Sequence, residues 1–132
     1  MSPEANVIAR HRIERADAAC REGDLLAEQH SYGGAANRYY YAAFHAARAL
    51  LATRNVDAAR HAGVIALFQQ HFVKSGDFPA DVARALPRSF EKRLSSDYSD
   101  FVAVSAAEVE RVRTEVHAFV DACRQLLRAS EL

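Results

Sequence analysis

Tryptophan is absent, and glycine, proline and cysteine are scarce, at 5, 3 and 2 among 132 residues. Without Trp, the large core positions fall to Phe, Tyr, Leu and Val. Few Gly and Pro alongside abundant Ala favour helices, because Ala costs least in a helix and Gly and Pro cost most. Cys20 and Cys123 lie far apart inside apolar helical patterns. They read as buried free thiols rather than a disulfide framework. Neither sign of charge is in excess, with 17 basic and 17 acidic residues. A nucleic-acid surface, which phosphate contacts normally make basic, must therefore be a local patch. No apolar run approaches the roughly 18 residues that span a membrane. The opening Met-Ser-Pro-Glu has no basic segment leading into an apolar one, so no signal peptide is expected and the cytoplasm is the expected compartment. There is also no HExxH, no paired Cys and no phosphate-binding Gly loop. Neither a metal nor a cofactor is expected.

What is present is helical periodicity throughout, with half of the residues hydrophobic. The length fits one domain over residues 1–132. Ser2 and Pro3 open a helix that runs to about residue 29, with Val7, Ala18 or Ala19, Leu25 and Leu26 expected inward. Ser31-Tyr32-Gly33-Gly34 reads as a break. A second helix over 34–53 aligns Ala36, Tyr40, Ala43, Phe44, Ala47, Leu50 and Leu51 on one face. A third, over 58–74, turns Val64, Leu67, Phe68, Phe72 and Val73 inward and stops at Ser75-Gly76-Asp77, with Gly76 suited to a left-handed cap. Pro79 permits a new start, and Pro87 argues for two short helices or a kink before about Tyr98. Ser105-Ala106-Ala107-Glu108 is a capping box opening the last helix. No strand alternation appears. The expected fold is all-α, an up-down bundle of four to five helices.

The segment Asn37-Arg38-Tyr39-Tyr40-Tyr41-Ala42-Ala43-Phe44-His45 is the most informative. At about 100° per residue, Arg38 and His45 fall within roughly 20° of each other, with Tyr41 between them. An imidazole can move protons near neutral pH, and a guanidinium can stabilise charge developing on a phosphate. The set suits attack on a phosphodiester by its own ribose hydroxyl. The same spacing also suits hydrogen-bonded groups where helices meet.

Asn37-Arg38-x-Tyr40-Tyr41-x-x-Phe44-His45-x-Ala47 resembles the second-helix signature of HEPN proteins, in the branch often found beside nucleotidyltransferases. His61-x-Gly63-Val64-Ile65, Phe68-x-x-x-Phe72-Val73-Lys74-x-Gly76 and Arg93-x-x-x-Asp97-Tyr98 agree in order. The resemblance covers roughly residues 30–125. It implies a helical bundle that dimerises and a metal-independent endoribonuclease of toxin type. In that reading His45 transfers protons, Arg38 sits at the scissile phosphate, and a nucleotidyltransferase partner restrains the protein by transferring AMP to a tyrosine, here Tyr98. A surface position for Tyr98 at the bundle end is the plainer reading. In another toxin branch the active Arg and His lie in the later helix. Here Arg93-Leu94-Ser95-Ser96-Asp97-Tyr98 contains no His. The alternative is therefore a non-catalytic HEPN module that binds RNA, a nucleotide or a nucleotidyltransferase.

Asn37, Tyr41 and His61 are expected to line the RNA or nucleotide site, although a helix-end hydrogen bond also suits His61. Arg84, Arg88 and Lys92 recur every four residues, and Arg93 adds to them. They read equally as a phosphate-holding ridge or as a solvated face paired with Asp81 and Glu91.

Overall fold

The computed structural model describes residues 2–98 and 103–131, the side chains of 95–98 excepted. The described residues form an all-α bundle. Helix α1 (Pro3–Glu28) opens where Ser2 Oγ accepts the Ala5 N–H at 3.1 Å, with Pro3 in the first turn. It closes at Gln29–Ser31, where His30 adopts φ 61° and the Ser31 N–H reaches Leu26 O at 2.8 Å. That bond satisfies one of the carbonyls left open at a helix end. The break thus falls ahead of the glycines, and helix α2 (Tyr32–Ala52) absorbs Gly33 and Gly34 into its first turn.

Helix α2 is the centre of the bundle, packed against α1 and three later elements, and most of its side chains are buried. Its alanines (Ala35, Ala42, Ala46, Ala49) meet a stripe of small residues on α1, which includes Ala9, Ala16 and Ala19. This packing keeps Ala19 buried and Leu26 against the core as expected, and corrects the expected face of α1 at two positions. Val7 and Leu25 are 68% and 62% exposed, while Ala5, Ala9, Ile13, Ala16, Ala19, Cys20 and Gly23 are buried. A stripe without long side chains lets two backbones approach closely. That close packing outweighs the larger transfer energy of Val or Leu at any one position.

Helix α3 (His61–Phe68) starts later than its periodicity suggested, because Asp57 Oδ1 takes the Ala58 N–H at 2.8 Å and holds the chain in a turn. It continues into a wider π turn over Gln69–Val73 and stops at Gly76, whose φ is 83°. Phe68, Phe72, Phe78 and Phe119 form an aromatic core there, with successive ring centroids 5.1–5.4 Å apart. Two helices follow, α4 (Ala80–Ala83) and α5 (Ala85–Tyr98), with Pro87 in the first turn of α5. An N–H is dispensable at that point of a helix. Helix α6 (Ala106–Glu131) opens with the full capping box: Glu108 N–H to Ser105 Oγ at 3.1 Å and Ser105 N–H to Glu108 Oε1 at 3.3 Å. Cys20 and Cys123 are both free and buried. No described helix is long and apolar enough to cross a membrane.

Candidate active site on the seam between the first two helices

Arg38, Tyr41, His45 and Arg48 follow one another on α2 at intervals of three, four and three, which is one straight stripe of a helix. The stripe lies along the edge of the α1–α2 contact. At one end Arg38 Nε is 3.6 Å from Glu22 Oε2 on α1. At the other, Arg12 Nη1 on α1 donates to the Arg48 carbonyl at 3.1 Å. Between them, the Arg38 guanidinium lies 5.5 Å from the Tyr41 ring centre, and the Tyr41 and His45 rings are 6.1 Å apart.

His45 is only 6% exposed. Its Nδ1 is buried with no hydrogen-bond partner among the described residues, and the same holds for Arg38 Nε. Buried polar atoms in folded proteins nearly always find a hydrogen-bond partner, so the unpartnered His45 Nδ1, on one stripe with an Arg38 held only by a long ion pair, marks a candidate site. Burial is the main force pushing the imidazole down to about 4, joined by the positive charges of Arg15, Arg48, Arg38 and Arg12. His45 is therefore neutral at physiological pH, the state that accepts a proton. Asp57 clamps the far end, bonding Arg12 Nη2 at 3.2 Å and Arg48 through Nε at 3.1 Å and Nη2 at 2.7 Å.

A half-exposed aromatic patch continues from Tyr41 toward α3 and α5. The Tyr40 hydroxyl bonds His61 Nδ1, at the first residue of α3. His61 stacks on Phe90 at 6.0 Å with an 11° interplanar angle and lies 4.6 Å from Phe44. The Arg93 guanidinium stands 5.5 Å from the Tyr40 ring centre and 5.4 Å from that of Tyr41. Burial raises the Tyr40 phenol well above its ordinary value, with Arg93 opposing, and burial followed by Arg93 lowers His61. The phenol stays protonated and the imidazole is favoured neutral, so the two share one hydrogen bond between uncharged groups. Asn37 is half-buried one turn before Tyr41 on the same face.

The basic ridge does not hold together as one feature. Arg88 pairs with Glu115 at 3.2 Å, and Lys92 pairs with Glu108, both across to α6. Arg88, Lys92 and Glu115, with Glu91, Arg111 and Val112, line a groove of about 540 Å³ between α5 and α6. Arg84 is exposed beyond it. Arg93, next in sequence to Lys92, belongs instead to the Tyr40–Tyr41 patch. The partners of Arg88 and Lys92 are thus glutamates of α6 rather than Asp81 and Glu91. Tyr98 ends α5, but its side chain and that of Asp97 lie outside the described residues.

Sequence reasoning missed Arg12, Arg15, Arg48 and Asp57. Arg48 was within reach, since it prolongs the Arg38–Tyr41–His45 interval. The α1 arginines carry no motif of their own. A second polar cluster lies at the α1–α6 contact, where Asp24 Oδ1 accepts from the Tyr39 hydroxyl and from His117 Nε2 at 3.1 Å and pairs with Arg113 at 3.3 Å. Among the described residues, no three His, Cys, Asp or Glu side chains gather as a metal-binding set.

A HEPN-domain profile matches residues 9–126. A Methanocaldococcus jannaschii protein named as a candidate toxin is 34% identical over 116 residues, covering 88% of this chain and 86% of its own. A UPF0332 protein of Thermotoga maritima is 30% identical over 124 residues, 94% of each chain. A second candidate toxin of Methanocaldococcus jannaschii is 24% identical over 115 residues, 87% of this chain and 78% of its own.

Proposed function

Since this chain belongs to the HEPN family, we propose that it is a metal-independent endoribonuclease of the toxin kind, acting as a homodimer and restrained by a nucleotidyltransferase-type partner. The observation that carries this reading is the buried, unpartnered Nδ1 of His45 on one stripe of α2 with Arg38, whose own hold on Glu22 is a 3.6 Å ion pair with no hydrogen bond. Relatives named as candidate toxins support the biological role.

In the reaction, neutral His45 takes the proton of a ribose 2′-hydroxyl. The freed oxygen attacks the adjacent phosphorus, the bond from phosphorus to the 5′-oxygen breaks, and that oxygen leaves as a hydroxyl, receiving through solvent the proton that His45 took up. The products are a 2′,3′-cyclic phosphate and a 5′-hydroxyl end. Arg38 holds the charge that grows on the non-bridging oxygens. A phosphodiester anion among the arginines offsets the charges that depress His45, raising its basicity only when substrate is bound. The Tyr41–His61–Phe90 patch, with Arg93, offers faces on which unpaired bases stack. Tyr98 is the phenol on which the partner would place AMP.

Purified protein, freed of any partner and assayed on several RNA classes in EDTA, tests this. Cleavage to cyclic-phosphate ends, lost in folded His45→Gln and Arg38→Ala variants, is the expected result. The alternative, a HEPN module that binds RNA or nucleotide without cutting, draws on the near-complete burial of His45. Intact RNA with retained binding would select it.

A further inference from the structure

The stripe on α2 has a counterpart on α1, read in the opposite direction. Glu22 meets Arg38. Seven residues back on α1 stands Arg15, and seven forward on α2 stands His45. Three more in each direction come Arg12 and Arg48, joined at 3.1 Å. Antiparallel helices of equal rise bring residues counted this way abreast, so Arg15 lies across the seam from His45. Its charge is also the largest of those acting on the imidazole.

The other cations of the seam are already engaged: Arg12 and Arg48 by Asp57, Arg38 by Glu22. Arg15 is exposed and has no ion pair among the described residues. Four guanidinium groups thus face two carboxylates, and the surplus positive charge gathers at Arg15, which the register sets across the helix contact from His45, whose Nδ1 is buried and unpartnered. From Arg38 to Arg48 the seam runs ten residues, about 15 Å of helix. That length accommodates more than one backbone phosphate, at roughly 3.4 Å or more per nucleotide along a strand.

We propose that Arg15, backed by Arg12 and Arg48, is a second phosphate subsite on the α1–α2 seam, gripping the RNA backbone next to the phosphate held by Arg38. The identity of the strand rests on the ribonuclease reading. The subsite orients its ligand by a charged fork that Lys reproduces only in part. Arg15 is a positioning residue: it holds the strand so that a ribose hydroxyl reaches His45.

The test uses a fully 2′-O-methylated RNA oligonucleotide, which binds but has no hydroxyl to react. Its affinity is measured by fluorescence anisotropy across a salt series for wild type, Arg15→Ala, Arg15→Lys and, as a control away from the seam, Arg21→Ala. Circular dichroism checks that each is folded. Arg15→Ala is expected to weaken binding about tenfold and to lower the slope of log affinity against log salt by about one. Arg15→Lys should recover part of the affinity, and Arg21→Ala should match wild type. Wild-type affinity and slope in Arg15→Ala would overturn the subsite, as would an equal loss in Arg21→Ala or no binding by wild type. If Arg15→Ala weakens binding while wild type leaves ordinary RNA intact, the subsite stands and the ribonuclease reading alone falls. If wild type cuts RNA and Arg15→Ala binds and cuts equally well, the reverse holds.

Discussion

Tyr39 occupies the space a side chain on Gly23 would need: a Cβ there would lie 2.7 Å from Tyr39 Cε1 and 2.9 Å from its Cδ1. The ring is fully buried, and its hydroxyl is tied to Asp24, one residue beyond Gly23. It has nowhere to retreat. Gly23→Ala should therefore destabilise the bundle by roughly 1–3 kcal/mol, as overpacking commonly does. The gain in helix propensity, up to about 1 kcal/mol, offsets part of this. Urea unfolding of the two proteins measures the difference, and a stabilised variant would refute the packing argument.

His45 makes stability depend on pH. Its folded value, about 4, lies below its ordinary 6.5. The groups facing it, Arg12, Arg15, Arg38 and Arg48, remain charged throughout the acid range. Between those two values the unfolded chain binds the extra proton, so stability rises with pH across that window and is fully present above it. The change amounts to roughly 2–3 kcal/mol. Chemical denaturation at pH 7 and pH 4.5 should show the loss in wild type and a much smaller one in His45→Gln. Equal losses in both would assign the effect elsewhere.

The two thiols should be inert in the native protein. Burial is the main cause that pushes Cys20 up to about 12 and Cys123 well above its ordinary value. Only the thiolate reacts quickly with alkylating reagents. Mass spectrometry after brief iodoacetamide treatment at pH 8 should find neither Cys modified when folded and both modified in urea.

Tyr40→Phe removes the hydroxyl bonded to His61 Nδ1 while keeping the ring among Tyr41, Phe44 and Phe90. The expected cost is about 1 kcal/mol, the net worth of one hydrogen bond. Unfolding at pH 7 measures it. If the ring stacking alone holds His61, stability will not change.

Family, helical class and most element limits were legible in the sequence. The buried faces of α2, α3 and α6 followed from their large apolar residues, and the Arg38–His45 alignment from helical angle. The inward face of α1 was legible only in part, at Ala19 and Leu26, since its buried stripe is mostly alanine and two of its large apolar residues, Val7 and Leu25, face solvent. Only half of the candidate site could be read. Arg38, Tyr41 and His45 share a helix, whereas Arg12 and Arg15 act on His45 through their charge from another. Adjacent residues also parted: Lys92 pairs with α6 while Arg93 covers the tyrosines of α2.

Chemistry that closes within three or four residues was determined by the sequence alone. Ser2 and Pro3 start one helix, Ser105 and Glu108 start another, and Gly76 ends a third, because each satisfies or frees backbone groups next to it in the chain. What lies across a helix contact was decided only in three dimensions. Arg15 is thirty residues from His45, and nothing local to either sets which turn of α1 meets which turn of α2. The close approach of two alanine-lined helices sets that register. The same register leaves His45 neutral, buried and surrounded by arginines.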